Sequence, residues 1–197
     1  VSGTNNTAVG FESLTANTSG ANNTAVGRRA GKAITTGSSN TVVGTNSLFA
    51  CTTGTQNTAL GQSCMFAITT GSDNVAIGKG ALNTATTADN NVAIGHNSLT
   101  ANTTGLANSA LGSKSMQSNT TGQQNTALGQ EALRDNTTAN FNTAVGKSAL
   151  QNNSTGEQNT AVGASALTAN TSANSNTAVG SSSLTANTTG AGNNAIG

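Results

Sequence analysis

A five-residue motif, Asn-Thr-Ala-Val-Gly or a close variant, recurs every 17 residues along this 197-residue chain without a single insertion or deletion. Its glycine stands at Gly10, Gly27, Gly44, Gly61, Gly78, Gly95, Gly112, Gly129, Gly146, Gly163, Gly180 and Gly197. Four residues earlier comes asparagine each time: Asn6, Asn23, Asn40, Asn57, Asn74, Asn91, Asn108, Asn125, Asn142, Asn159, Asn176 and Asn193. Ala lies two before the glycine except at Val42, and the residue directly before it is always Val, Leu or Ile. A strict period of this length marks a repeat architecture. Each unit is too small to bury its own apolar face and must stack on copies of itself.

The repeat also fixes the type of secondary structure. After each glycine comes a small residue and then, in nearly every unit, Leu or Met, as in Ser13-Leu14, Ser47-Leu48 and Cys64-Met65. A Thr-Thr-Gly segment or its variant follows. Two short strand-like runs per unit are expected, separated by Gly and Asn turn chemistry. Gly, Asn and Thr recur too densely for a helix. The predicted fold is therefore all-β: a parallel β-solenoid of 17-residue coils, about eleven of them, in one continuous region over residues 1–197. At the strand spacing of about 4.8 Å it forms a rod about 55 Å long. Stacked asparagines are expected to form a ladder, each amide donating to one neighbouring coil and accepting from the other.

Composition removes other classes. Leu, Ile, Val and Phe make up fewer than one residue in five, yet the net charge is only +1, so the signature of a disordered chain is incomplete. No apolar run approaches the length of a membrane helix, and no signal-peptide pattern is visible. Seven Lys and Arg against six Asp and Glu leave no basic stripe for nucleic acid. Every charge lies outside three segments of the repeat: the Asn-Thr-Ala-Val-Gly motif, the small-Leu pair and the Thr-Thr-Gly run. Because an unpaired buried charge is costly, these three segments are expected to be packed. The column seven residues after the glycine holds Asn in most units but Ile34, Cys51, Ile68 and Ala85 in four consecutive ones. Accepting Asn or Ile but never a charge, it is read as interior. Gly31 occupies the Leu column in the unit that carries Ile34, so one side chain is expected to replace the other. Adjacent Ala and Val point to opposite faces of a strand, which leaves a second apolar stripe outside and predicts an oligomer.

Few residues invite chemistry. His96, the only histidine, sits in a charge-bearing turn column with no triad around it. Cys51 and Cys64 occupy different columns and are read as small buried thiols; a zinc site would need further ligands. The Asn-x-Ser/Thr sequences, such as those at Asn17 and Asn102, arise from the repeat and fall in the interior column. The glycines lack the context of a phosphate-binding loop. Neither cofactor, metal nor catalytic residue is expected, and the chain reads as non-enzymatic. Phe49 and Phe66 share a column in adjacent units and should stack, packed against the Ile and Cys block or serving as a contact patch.

The pattern N-T-A-V-G-x-x-A-L-x-x-N-T-T-G resembles, over essentially the whole chain, the head repeat of trimeric autotransporter (YadA-like) adhesins, and similar runs occur in bacteriophage tail fibres. The resemblance implies a left-handed β-roll, three chains around a common axis, an extracellular, cell-surface or virion location, and a role in attachment. It also implies a receptor or other fibre subunits as partners, without membrane insertion of this segment. The 17-residue period is longer than that family's usual repeat. Val1-Ser2-Gly3 matches the end of a Thr-Thr-Gly segment and Gly197 closes a motif, so an uncapped excerpt of a longer fibre is expected. Two other readings are an end-to-end filament or matrix protein and an ice-binding solenoid. The second is disfavoured because adjacent threonines in a strand would point to opposite sides.

Overall fold

The computed structural model describes residues 2–197; Val1 lies outside the described residues. It is a solenoid of 17-residue coils that carries one 12-stranded parallel sheet, with strands ordered as in the sequence. Each strand is three residues long, from Thr7–Val9 at one end to Asn194–Ile196 at the other. Registers are exact multiples of the repeat: Thr7 pairs with Thr24, Ala8 with Ala25, Val9 with Val26, and so on through the rod. No helix occurs among the described residues.

Only one of the two expected strand runs forms. The small-Leu half of each coil is a turn, and the residue in its Leu column adopts left-handed backbone, with φ between 45 and 51° from Leu48 and Met116 to Leu167. Two residues earlier the chain is left-handed as well, as at Glu12, Arg29 and Lys114. Such φ values disfavour branched or bulky side chains. They persist because the backbone N–H of each Leu-column residue is held by a carbonyl of the next coil, as Leu99 is by Ser115 at 3.0 Å. Gly31 fits this conformation readily, with φ 57°. A Cβ placed on it would meet Ile34 Cδ1 at 2.9 Å, so Ile34 fills the space that Leu occupies elsewhere.

The three segments expected to be packed are packed only in part. In the strands between the two end ones, from Ala25 to Ala178, the central residue is enclosed while its neighbours on either side stay at least partly accessible. In the Thr-Thr-Gly run, the second Thr is exposed and the first is not enclosed. The first hydroxyl donates to the carbonyl of its counterpart one coil on, as from Thr120 to Thr137 at 3.0 Å. The expectation that adjacent threonines face opposite sides is therefore incorrect, because the segment is a bend and not a strand.

Asparagine organises the interior. Asn40 Nδ2 donates to Asn23 Oδ1 at 3.0 Å and across its own coil to the Gly54 carbonyl at 2.9 Å. Its Oδ1 accepts the Asn57 backbone N–H at 3.0 Å and Asn57 Nδ2 at 3.2 Å. Both protons and both lone pairs of the amide are thus used. A second ladder runs through the column that follows the Leu: Asn119 Nδ2 donates to Asn102 Oδ1 at 2.8 Å, and Asn136 Nδ2 to Asn119 Oδ1 at 2.7 Å. The ladders meet at a shared acceptor, since the Gly122 carbonyl receives Asn108 Nδ2 at 2.8 Å and Asn119 Nδ2 at 3.0 Å. Ile34, Cys51, Ile68 and Ala85 interrupt the second ladder with a fully buried apolar block.

The two ladders predict unequal costs. Replacing Asn108 with Ile strands the Asn125 N–H and amide and should cost about 3 kcal/mol. Asn102→Ile extends the apolar block by one coil and removes a single acceptor, that of Asn119 Nδ2, and should cost about 1 kcal/mol. Urea midpoints of the two variants check the ranking. The repeat glycines allow an independent test. Gly129 has φ 136°, and a Cβ there would lie 2.6 Å from the Gly146 carbonyl oxygen. Gly129→Ala should therefore destabilise by more than the roughly 1 kcal/mol of an ordinary glycine substitution, whereas Gly192→Ala, with nothing within 4 Å, should cost less.

Candidate functional site

Among the described residues two extended surfaces recur from coil to coil, the accessible Thr-Thr run and the outer face of the sheet, and of the two the sheet face is the one that carries apolar side chains. It carries two parallel columns, Thr and then Val, Leu or Ile, with the enclosed Ala column behind them. The apolar column is at least partly accessible along its length: Leu111 is 46% and Leu128 44% exposed, while Leu60, Ile77, Ile94, Val145 and Val162 are half-buried. Strand pairing places each of these side chains directly beside its neighbour, as Leu60 beside Ile77 and Ile77 beside Ile94. A continuous outward apolar stripe is unusual on a solvated protein, which makes this face the candidate site.

A second feature lies on the turn side. Phe49 and Phe66 stack with ring centroids 5.0 Å apart and planes within 4°. Lys32 Nζ lies 5.9 Å from the Phe49 centroid and 2.8 Å from Glu12, which also pairs with Arg29 at 2.8 Å. The Lys32 hydrogen bond, helped by Arg29, holds the Glu12 carboxyl below the usual carboxylate range against a desolvation that opposes it. Both rings are half-buried. They stack on each other beneath a lysine already engaged by a carboxylate. Farther along, Arg134 is paired with Asp135 and Glu131, and the Asp135 hydrogen bond raises its already high pKa.

The remaining candidates do not converge. His96 is exposed in its turn. Among the described residues no cavity opens, and no three His, Cys, Asp or Glu side chains group as metal ligands. Asn102 is fully buried in its ladder. Both cysteines are free and buried, with Cys64 Sγ 3.0 Å from the Ala76 carbonyl and Cys51 Sγ 3.8 Å from that of Gly54. Each thiol replaces a hydrogen-bonding Ser or Asn of its column. The double use of the shared carbonyl has a faint trace in the sequence, the Asn-x-x-Gly spacing of units such as Asn119 to Gly122.

Fold and surface together define a β-solenoid repeat protein with a polar-laddered interior and an apolar outer stripe. No family model matches the chain, nor does any curated protein or solved structure.

Burial pushes the Cys51 thiol up to about 11 and that of Cys64 to about 12. Folding therefore favours the neutral thiols. Their contribution is complete below the unfolded value of about 8.5 and is lost as pH rises through the folded values. The urea midpoint of the wild type should fall more steeply between about pH 9 and 11 than that of Cys51→Ala/Cys64→Ala. Alanine occurs in both columns, at Ala85 and Ala30. Parallel curves would contradict this assignment.

Proposed function

We propose that this chain is a non-enzymatic shaft or head segment of an extracellular or virion fibre used for attachment, in which three copies associate through the outer face of the sheet. The observation that carries this reading is the unbroken outward column of Val, Leu and Ile running from Val9 to Ile196. Each such side chain gains about 1.5–3 kcal/mol when fully buried, and the coil's own interior cannot supply that burial because the enclosed face of the strand is already filled by Ala. A covering layer of the same length and period is needed, and another copy of the rod is the simplest one. The resemblance of the repeat to trimeric adhesin heads and tail fibres supports three chains and a left-handed coil. In-register strands and saturated ladders give the stiffness a spacer requires, and exposed turns on the other sides provide surface for a receptor.

Sedimentation equilibrium or native mass spectrometry of the wild type should give three times the chain mass. Ile94→Asp, which places a charge in the apolar stripe without touching the interior, should yield monomers with an unchanged circular dichroism spectrum. A wild type that stays monomeric at all accessible concentrations would overturn the reading.

A further inference from the structure

The outer face changes character at one place. Its polar column holds Thr in eight strands, Ser109 and Asn194 in two, and valine in two consecutive ones, Val75 and Val92. Thr and Val are both β-branched and suit a strand about equally, so the coil itself gains little from the exchange. Neither valine enters the interior; Ala76 and Ala93 beside them are the enclosed residues. Val75 pairs with Val92 and Ile77 with Ile94, giving four branched apolar side chains in one outward block. The four are half-buried within the chain, and a cover from outside would bury what remains accessible.

The two edges of the same face differ in sign. The first position after the repeat glycine carries Arg28, Lys79 and Lys147 but no acid, and the two positions before the repeat asparagine carry Asp73, Asp89 and Glu157 but no base. Arg28, Asp73, Lys79 and Lys147 are exposed and make no ion pair among the described residues. The ion pairs within the chain all use other columns. Copies related by rotation about an axis along the rod bring the acidic edge of one against the basic edge of the next, whereas antiparallel copies bring like edges together. At the apolar block these edge charges flank a single strand, with Asp73 two residues before Val75 and Lys79 two after Ile77. A strip as long as the sheet, covering the strand and one residue on each side, spans about 850 Å². That is close to the roughly 800 Å² per partner of a stable interface.

We infer that the contact between copies is centred on this block: the copies run parallel, Val75, Ile77, Val92 and Ile94 form its apolar centre, and Asp73 of one copy pairs with Lys79 of the next. This inference rests on the self-association proposed above. The test is sedimentation equilibrium of the whole chain at low and high salt, with circular dichroism as the check on folding. Val75→Thr/Val92→Thr, which restores the residue common in that column, should raise the dissociation midpoint about tenfold. Asp73→Lys or Lys79→Asp alone should raise it roughly threefold at low salt and less at high salt. The double variant Asp73→Lys/Lys79→Asp should return toward the wild type. Association unaffected by any of these variants would overturn the proposed contact while leaving self-association standing. A monomeric wild type would overturn both.

Discussion

Everything in this rod depends on one interaction, the saturated side-chain amide of the repeat asparagine. From Asn40 to Asn159 each amide donates once to the coil before it and once across its own coil, and accepts twice from the coil after it, as Asn40 does with Asn23, Gly54 and Asn57. A buried amide left with an open donor or acceptor costs on the order of 1–3 kcal/mol, so a slip in register would be penalised in every coil at once. This explains why the period stays fixed at 17 from Gly10 to Gly197. It also explains how an interior with few bulky apolar residues can hold: polar groups bear the register, and Leu, Ile and Met fill the remaining volume.

Exact superposition has consequences for the backbone. Once coils repeat at the strand spacing, a conformation imposed at one position is imposed at its equivalents. The repeat glycines therefore share φ values between 119 and 138°, and the Leu column is left-handed in coil after coil even though leucine has no preference for it. The outer face inherits the same regularity. Thr and Val columns run straight along one sheet, and any partner that covers one strand meets the same chemistry at the next. Against that regularity Val75 and Val92 stand out as the one place where the polar column turns apolar.

Much of this was legible in the sequence, for identifiable reasons. The fixed asparagines announce a ladder, the charge-free columns locate parts of the interior, and the exchange of Gly31 for Ile34 is visible as compensation in the residues alone. The stack of Phe49 on Phe66 followed from their shared column. The second strand run is absent because alternation does not continue through Ser13-Leu14 and its equivalents, where the chain turns left-handed at residues such as Glu12 and Leu14 that carry no sequence mark of it. The position before the repeat asparagine is also left-handed, and there Asn22, Asp73 and Asn90 gave a clearer hint. The threonine pair departs from strand alternation for the same reason, since a bend does not obey the period of a strand. The opposed charges at the two edges of the sheet became meaningful only when the strand's outward face was known.

The central claim, that the repeat asparagines hold the coils in register, is tested most directly by hydrogen exchange of side-chain amides followed by NMR. The Nδ2 protons of the interior ladder from Asn23 to Asn176 should exchange as slowly as the strand backbone, orders of magnitude behind exposed asparagines such as Asn22 and Asn152. Ladder amides that exchange as fast as the exposed ones in the folded rod would contradict it.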